Sequence, residues 1–249
     1  LIKLALTKDF KGSMEKLAEE HAICKRAKWK RKAMRGIDYY NALTSEPVPG
    51  EKYLIFFLHL QPEATTLPQG GVFVEQELMI QILARAAEKH GIKVYVKEHF
   101  VQPCRNKSFY DGLAKIRNVR LIHSDRDSKQ LARNSVATAS CNGTILLESI
   151  FNSKPTFIFG EVCFEKAPGV FRIGSVEECE KALEQILAGD FSIEQNQVRA
   201  YLKAFGESSI RAYFDCALYK KDSPITMEEG RKAYADYVVR RLREEFEHD

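Results

Sequence analysis

The run YLIFFLHLQPE, residues 53–63, decides the fold class of this chain. Its first six residues are all apolar or aromatic, without the alternation typical of a strand that faces water on one side. Pro62 has no backbone N–H, so it ends a hydrogen-bonded ladder and fixes a turn. The pattern predicts a central strand that is covered on both faces and stops where polar residues begin.

Apolar runs of the same kind recur along the chain and alternate with amphipathic segments. The further predicted strands are 93–96, 119–122, 136–139 and 156–159, and the predicted helices are 74–91, about 108–116, about 126–133, 143–151 and 176–189. Strands that are apolar throughout and separated by helices indicate a parallel sheet. The sequence therefore predicts an α/β fold, a Rossmann-like parallel sheet with helices on both faces, together with flanking helices.

Composition divides the chain into three regions. Residues 1–50 form a basic helical segment that ends in the linker TSEPVPG (44–50), where two prolines and a glycine lie close together. Residues 51–192 form the sheet domain. Residues 193–249 have a helical pattern, and we expect them to pack on the sheet domain or on a partner domain.

The composition is that of an ordinary globular protein, with 45% hydrophobic and 29% charged residues. No apolar run reaches the ~20 residues of a membrane-spanning helix, and the first residues lack a cleavable leader pattern. Six cysteines are scattered without a CxxC pair, which favours reduced thiols over disulfides or zinc. These features predict a cytoplasmic protein.

Positive charge is concentrated near the N-terminus. Residues 1–50 hold 11 Lys and Arg against 6 Asp and Glu, and the excess lies mainly in KRAKWKRKAMR (25–35). Such a helix suits anionic lipid headgroups or nucleic acid. The same pattern also suits a solvated helix face, or a connector to an upstream segment.

Polar segments follow four of the predicted strands: 59–71, 97–104, 140–144 and 160–169. Ligands of open parallel sheets bind at the carboxyl ends of the strands, so we expect these loops to converge. In the first, Gln61 can donate and accept hydrogen bonds and ionised Glu63 only accepts, a combination that suits sugar hydroxyls.

Three ionisable residues, Lys97, Glu98 and His99, directly follow the second strand, where packing does not explain them. His99 is able to donate to a phosphate or to act as a general acid. The alternative is a loop histidine between surface charges.

The segment SCNGT (140–144) leads into a predicted helix, whose N-terminus favours a phosphate. Its polar and small residues are Ser140, Asn142, Gly143 and Thr144. They also fit ordinary helix capping without a ligand. Glu148, just over one turn into the helix, is placed to reach a ribose hydroxyl or to remain solvated.

Together these motifs resemble those of bacterial capsular polysaccharide synthesis proteins, including the retaining Kdo transferases of capsule assembly. That family shows QPE after one strand, Val-Lys-Glu-His-Pro after the next, then a turn of the kind SGTxGLEA followed by gKPvivfG. The matching pieces here are Gln61-Pro62-Glu63, residues 96–100, residues 142–148, residues 153–155 and Phe159-Gly160. They agree in order and spacing over roughly residues 53–174, and Phe100 stands where the family has proline.

The resemblance implies the donor-binding C-terminal half of a GT-B glycosyltransferase that needs no metal and no cofactor. It implies that His99 and Thr144 contact the nucleotide phosphate, that Glu148 addresses the ribose, and that Gln61 and Glu63 lie beside the transferred sugar. The implied substrates are a nucleotide sugar, CMP-Kdo among the candidates, and a glycan or glycolipid acceptor. A GT-B enzyme also has a preceding Rossmann domain, which residues 1–50 are too short to form, so we expect that half upstream or on a partner.

We therefore predict a sugar transferase of surface polysaccharide synthesis, at the inner face of the cytoplasmic membrane and without a nucleic-acid partner. The predicted catalytic residues are Gln61, Glu63 and His99, and the predicted nucleotide-sugar-binding residues are Lys97, Glu98, Ser140, Asn142, Gly143, Thr144 and Glu148. The alternatives are a nucleotide-sugar epimerase of the same fold and a non-catalytic sugar-nucleotide-binding module in polysaccharide export.

Overall fold

A computed structural model of the chain describes residues 25, 36–61, 63, 66–99, 105–189, 191–213 and 223–246. Six strands form one sheet: β1 (Tyr53–Phe57), β2 (Lys93–Lys97), β3 (Val119–Ile122), β4 (Ala137–Ser140), β5 (Thr156–Ile158) and β6 (Val170–Arg172). All neighbouring strands are parallel, in the order β3-β2-β1-β4-β5-β6. The predicted Rossmann-like α/β fold is confirmed, with β6 as a strand that the sequence did not reveal.

Helices connect the strands and cover both faces of the sheet. They are α1 (Gln76–Glu88), α2 (Lys107–Lys115), α3 (Ser128–Asn134), α4 (Ile145–Phe151) and α5 (Val176–Leu187), with a short 3₁₀ helix at Gly71–Val74. The predicted helix 74–91 is shorter at both ends than expected, because its first residues belong to the 3₁₀ turn and its last to the turn before β2.

Alternate residues of each strand enter two separate cores, as the period of a strand requires. On the first face, Leu54 and Phe56 of β1 pack with buried residues of α1, α2 and α5. On the second face, Ile55 and Phe57 pack with α3 and α4. Since both faces of β1 are buried, its sequence has to be apolar throughout.

The residues before β1 pack on the sheet as well. Residues 36–42 are helical, and Tyr40 is fully buried in the first core. Its hydroxyl lies 2.9 Å from the carbonyl of Val96 and 2.7 Å from that of Ile122, to which it donates, and it accepts from the Glu98 N–H at 3.1 Å. Tyr40 thereby ties the ends of two neighbouring strands together.

Residues 194–249 belong to a second compact unit, described here by itself. Its described helices are α6 (Gln195–Glu207) and α7 (Met227–Phe246). Gly230 of α7 lies against Tyr213, since a Cβ at this position would stand 2.5 Å from the tyrosine ring. The packing of this region on the sheet domain stays a prediction.

The basic run 25–35 lies outside the described residues, apart from Lys25, which is helical and exposed. Its predicted contact with anionic membranes therefore stays a prediction. Within the described ranges, no helix has both the length and the apolar character that crossing a bilayer requires.

We expect Tyr40→Phe to lower the free energy of unfolding by about 1–3 kcal/mol, because it leaves a buried N–H and two carbonyls without their hydroxyl partner. Urea unfolding followed by circular dichroism measures this. Tyr39→Phe is the matched control, since that hydroxyl bonds to Asp111 at the surface and its loss should change little. Equal stability of both variants would contradict the role given to Tyr40.

Candidate functional site

A polar cleft of about 240 Å³ opens at the carboxyl edge of the sheet. The chain continues from β1 to β2 across one face of the sheet and from β4 to β5 across the other, so the loops after β1 and β4 diverge and leave a crevice between them. Such a reversal of strand order is where ligands of open α/β sheets bind. Most of the predicted site residues line this cleft: Lys97, Glu98, His99, Ser140, Gly143, Thr144 and Glu148.

Gln61, Glu63 and Asn142 do not line the cleft. The side-chain amide of Gln61 donates to the carbonyl of Val74, and its oxygen accepts from Arg105 at 2.7 Å. The amide nitrogen of Asn142 is turned towards Gly160, 3.4 Å from the position of a Cβ there. In this structure Gln61 holds the loop that follows β1, and Asn142 faces the neighbouring loop after β5.

Glu98 has a fully buried carboxylate with three hydrogen-bond partners in the protein. One oxygen accepts from Arg105 Nε at 2.9 Å and from the Tyr110 hydroxyl at 2.6 Å, and the other accepts from the His99 N–H at 2.7 Å. Burial raises the pKa of Tyr110 far above its usual range, so this hydroxyl remains a donor. The carboxylate of Glu98 therefore shapes the wall of the cleft from within.

Arg105 connects this carboxylate to the loop after β1. Its side chain is only 6% exposed, and besides Glu98 it donates to the oxygen of Gln61 and to the carbonyl of His59. The three donors of one guanidinium thus hold two loops that are far apart in sequence. No motif pointed to Arg105, because a single arginine in a loop has no periodicity to reveal it.

His59 is a cleft residue that the motif analysis missed. Its side chain is 14% exposed and lines the cleft, and Nδ1 lies 3.2 Å from the carboxylate of Glu63. The side chain of Gln76 accepts from the His59 N–H at 2.7 Å and donates to its carbonyl at 2.9 Å. Glu63 therefore contacts the ring of His59 rather than the cleft. The sequence did contain a signal for this pair: a histidine at the end of the central strand, with a carboxylate four residues later.

His99 is half-buried in the cleft and close enough to His59 for their charges to interact. Burial lowers the pKa of His99 from its ordinary value, and the charge of His59 lowers it further, while Glu98 and Glu63 oppose the shift. The position of the imidazole thus lowers its pKa, which favours the neutral ring.

Lys97 and Ser140 lie on the second face of the sheet, beneath α3 and α4. Lys97 is 7% exposed, and burial lowers its pKa, an effect that Asp125 and Asp127 partly offset. Ser140 donates its hydroxyl proton to the carbonyl of Phe57 at 2.8 Å, which fastens β4 to β1 at the crevice. A cation and a hydroxyl oxygen therefore form the floor of the cleft.

The outer wall of the cleft is built from the start of α4. A Cβ at Gly143 would lie 3.2 Å from the Ser140 hydroxyl and 3.5 Å from Cδ2 of His59, so glycine keeps the cleft open. The Thr144 side chain makes no capping hydrogen bond and is exposed. Glu148 is half-exposed and pairs with Lys129 at 3.5 Å.

A second cleft, of about 630 Å³, is larger but lies elsewhere. It is lined by residues 46–53 and by residues of the segment 126–136. Tyr53 and Val136 stand at the amino ends of β1 and β4, opposite the crevice, and no predicted site residue lines it. Volume alone therefore does not identify the site, and the strand order favours the smaller cleft.

The residues that the structure describes include no group of three or more His, Cys, Asp or Glu side chains able to hold a metal ion. Metal-free chemistry stays a prediction for this chain.

Comparison with known proteins gives matches in structure alone. No family model matches the chain, and no curated protein sequence matches it. Among solved structures, UDP-GlcNAc 2-epimerase of Methanocaldococcus jannaschii in complex with UDP-GlcNAc and UDP is 12% identical, with a TM-score of 0.44 over 68% of this chain and 48% of that one. A UDP co-structure of S. aureus MnaA is 15% identical, with a TM-score of 0.42 over 62% and 40%.

A glycosyltransferase is similar to this chain to a comparable degree. KpsC of Thermosulfurimonas dismutans, a β-Kdo 2,7 transferase, is 12% identical with a TM-score of 0.38, over 73% of this chain and 62% of that one. The chain spans about half the length of the first solved structures that it matches. Similarities of this size establish no activity, and the resemblance to capsular polysaccharide proteins stays a prediction.

We expect Arg105→Ala to lower the free energy of unfolding by about 3–5 kcal/mol, because it leaves the buried Glu98 carboxylate without its cation. Chemical denaturation measures the loss. Arg172→Ala is the control, since its pair with Glu165 is exposed and such pairs contribute little. A loss at Arg105 no greater than at Arg172 would contradict the role of the buried pair.

We expect stability to fall with acidification below about pH 6.5, the ordinary pKa of histidine, partly because of His99. In that range the unfolded chain binds a proton that the folded chain binds only at lower pH, so stability rises with pH up to 6.5 and this contribution is constant above it. Urea unfolding from pH 5 to 8 measures the slope, and His99→Gln should reduce it. An unchanged slope in that variant would show that His99 titrates as in the unfolded chain.

Proposed function

We propose that this chain binds a nucleotide sugar in the cleft between β1 and β4 and forms the donor-binding half of a glycosyltransferase of bacterial surface polysaccharide synthesis. One observation carries the proposal: loops that are far apart in sequence bring Lys97, His99, Ser140 and Thr144 to a single cleft at the reversal of strand order. This is where an α/β sheet binds nucleotides.

The composition of the cleft supports a phosphate ligand at its floor. The Lys97 ammonium, the Thr144 hydroxyl and the two imidazoles of His59 and His99 are groups that bind phosphate oxygens. Gly143 allows the ligand to approach the backbone. The buried Glu98 is neutralised by Arg105 and so does not oppose an anion.

The outer end of the cleft suits the ribose and the sugar. Glu148 is half-exposed there and offers acceptor oxygens to hydroxyl groups. CMP-Kdo is the proposed donor because of the motif resemblance, with a glycan or glycolipid as acceptor. The proposed location is the cytoplasmic face of the inner membrane, the reaction is proposed to need no metal, and the acceptor-side domain is proposed to lie upstream or on a partner.

Nucleotide-sugar epimerisation is the second candidate. The observation that favours it is that two imidazoles, those of His59 and His99, line the same cleft. Two such groups are able to remove a proton from a sugar carbon and to return one.

Calorimetric titration of the full-length protein with UDP and with CMP tests the binding proposal. We expect one of them to bind, and we expect Lys97→Met to weaken binding by about tenfold or more, the size of one charge-assisted hydrogen bond. Lys154→Met is the matched control: its ammonium is also partly buried but donates to the Ser135 carbonyl, outside this cleft.

Turnover then separates the candidates. Release of CMP from CMP-Kdo with an acceptor glycan supports transfer, whereas interconversion of UDP-GlcNAc with its 2-epimer supports epimerisation. Binding without either reaction supports a non-catalytic module. If neither nucleotide binds, or if both lysine variants bind equally well, the assignment of this cleft is wrong.

A further inference from the structure

His59 is held more completely than a surface loop residue requires. Gln76, which is itself fully buried, uses both atoms of its amide on the backbone of His59, and Arg105 adds a third contact to the same carbonyl. A buried helical glutamine and a buried arginine thus both hold the backbone of one residue, at the carboxyl end of the central strand. Fixing of this kind is expected of a group that has to meet a ligand in one geometry.

The ring of His59 is fixed as well. Nδ1 lies 3.2 Å from the Glu63 carboxylate and 3.4 Å from the carbonyl of Leu60, and both of these are hydrogen-bond acceptors. Nδ1 therefore carries the proton of the neutral ring. The opposite edge of the ring, Cδ2, lies 3.5 Å from the Cβ position of Gly143. Since Cδ2 is bonded to Nε2, the second nitrogen is on the edge of the ring that borders the cleft.

We propose that Nε2 of His59 donates a hydrogen bond to the nucleotide phosphate, with Glu63 as its positioning residue, and that phosphate binding is coupled to the uptake of a proton. The proposal rests on the proposed function, since it requires a nucleotide in this cleft. It also gives Glu63 a role different from the contact with the transferred sugar that the motifs implied.

The coupling follows from the tautomer. When Glu63 holds the proton on Nδ1, Nε2 of the neutral ring is only an acceptor. A phosphate oxygen is also an acceptor, so the two atoms repel each other and form no hydrogen bond. Only a ring that has bound a second proton donates from Nε2. The proton comes from solvent, remains on the imidazole, and no covalent bond changes.

The charged groups around His59 are mixed in sign. Glu63 faces Nδ1, Arg105 reaches the backbone carbonyl, and Lys97, Glu98, His99 and Glu148 line the same cleft. The charge of His59 helps to lower the pKa of His99, after the larger effect of burial. A phosphate anion in the cleft would offset repulsion between positive groups there and favour a positively charged His59.

Calorimetry of the full chain tests the proposal with UDP and CMP, each titrated at one pH in buffers of different ionisation enthalpy. The dependence of the heat on the buffer gives the number of protons taken up. At about pH 7.5, where the terminal phosphate of the nucleotide is already ionised, we expect uptake of up to about one proton per nucleotide for the wild type, from the second imidazole proton, and affinity that falls as pH rises further. Uridine and cytidine, which have no phosphate, should show no uptake.

Variants assign the proton. His59→Gln places a neutral amide donor near Nε2, so we expect it to retain part of the affinity and to lose the uptake. Glu63→Gln frees the ring to carry its proton on Nε2, so we expect uptake to fall while binding persists. Glu161→Gln is the control, because that exposed carboxylate lies outside this cleft. Thermal unfolding checks that each variant is folded.

Three results would overturn the inference. Proton uptake that persists in His59→Gln and vanishes in His99→Gln would assign the proton to the other imidazole. Nucleotide binding without any uptake in the wild type would leave the proposed function standing and refute the coupling. Absence of binding by the wild type would refute the proposed function and this inference with it.

Discussion

The buried ion pair between Glu98 and Arg105 is the interaction on which the cleft depends. Glu98 follows β2, and Arg105 reaches from there to the loop after β1, so the pair joins the two loops that form the inner wall. A buried carboxylate that loses its cation is costly. Separating the two loops would leave that charge buried without a partner, so the ion pair holds them together. The same pair thereby fixes the backbone positions of His59 and His99.

The two walls of the cleft differ in how they are held. The inner wall contains buried groups with several partners each, such as Gln76, Arg105 and Glu98. The outer wall contains exposed groups at the start of α4, of which Glu148 has a surface ion pair. Under the proposed function, the fixed wall would hold the phosphate that all nucleotide sugars share, and the variable sugar would lie against the exposed wall.

The sequence was sufficient for the sheet because strands such as β1 are buried on both faces and therefore read as unbroken apolar runs. It missed β6, whose three residues lie at an edge of the sheet and are partly exposed, so they form no such run. Convergence of three of the four loops on the cleft followed from the parallel order, whereas the loop after β5 does not line it. The direction of each side chain could not be predicted from the sequence. No sequence pattern distinguishes Glu98, which turns inward to Arg105, from a carboxylate that faces a ligand.

The clamp of Gln76 on His59 joins the geometry of the site to the position of a whole helix. Gln76 is the first residue of α1, and α1 contributes much of the first core. A sideways shift of that helix would move the His59 backbone with it. Substitutions in the core could therefore change the position of His59 without changing any residue of the cleft. Exchange of an exposed side chain at the start of α4, by contrast, leaves α1 and the His59 backbone where they are.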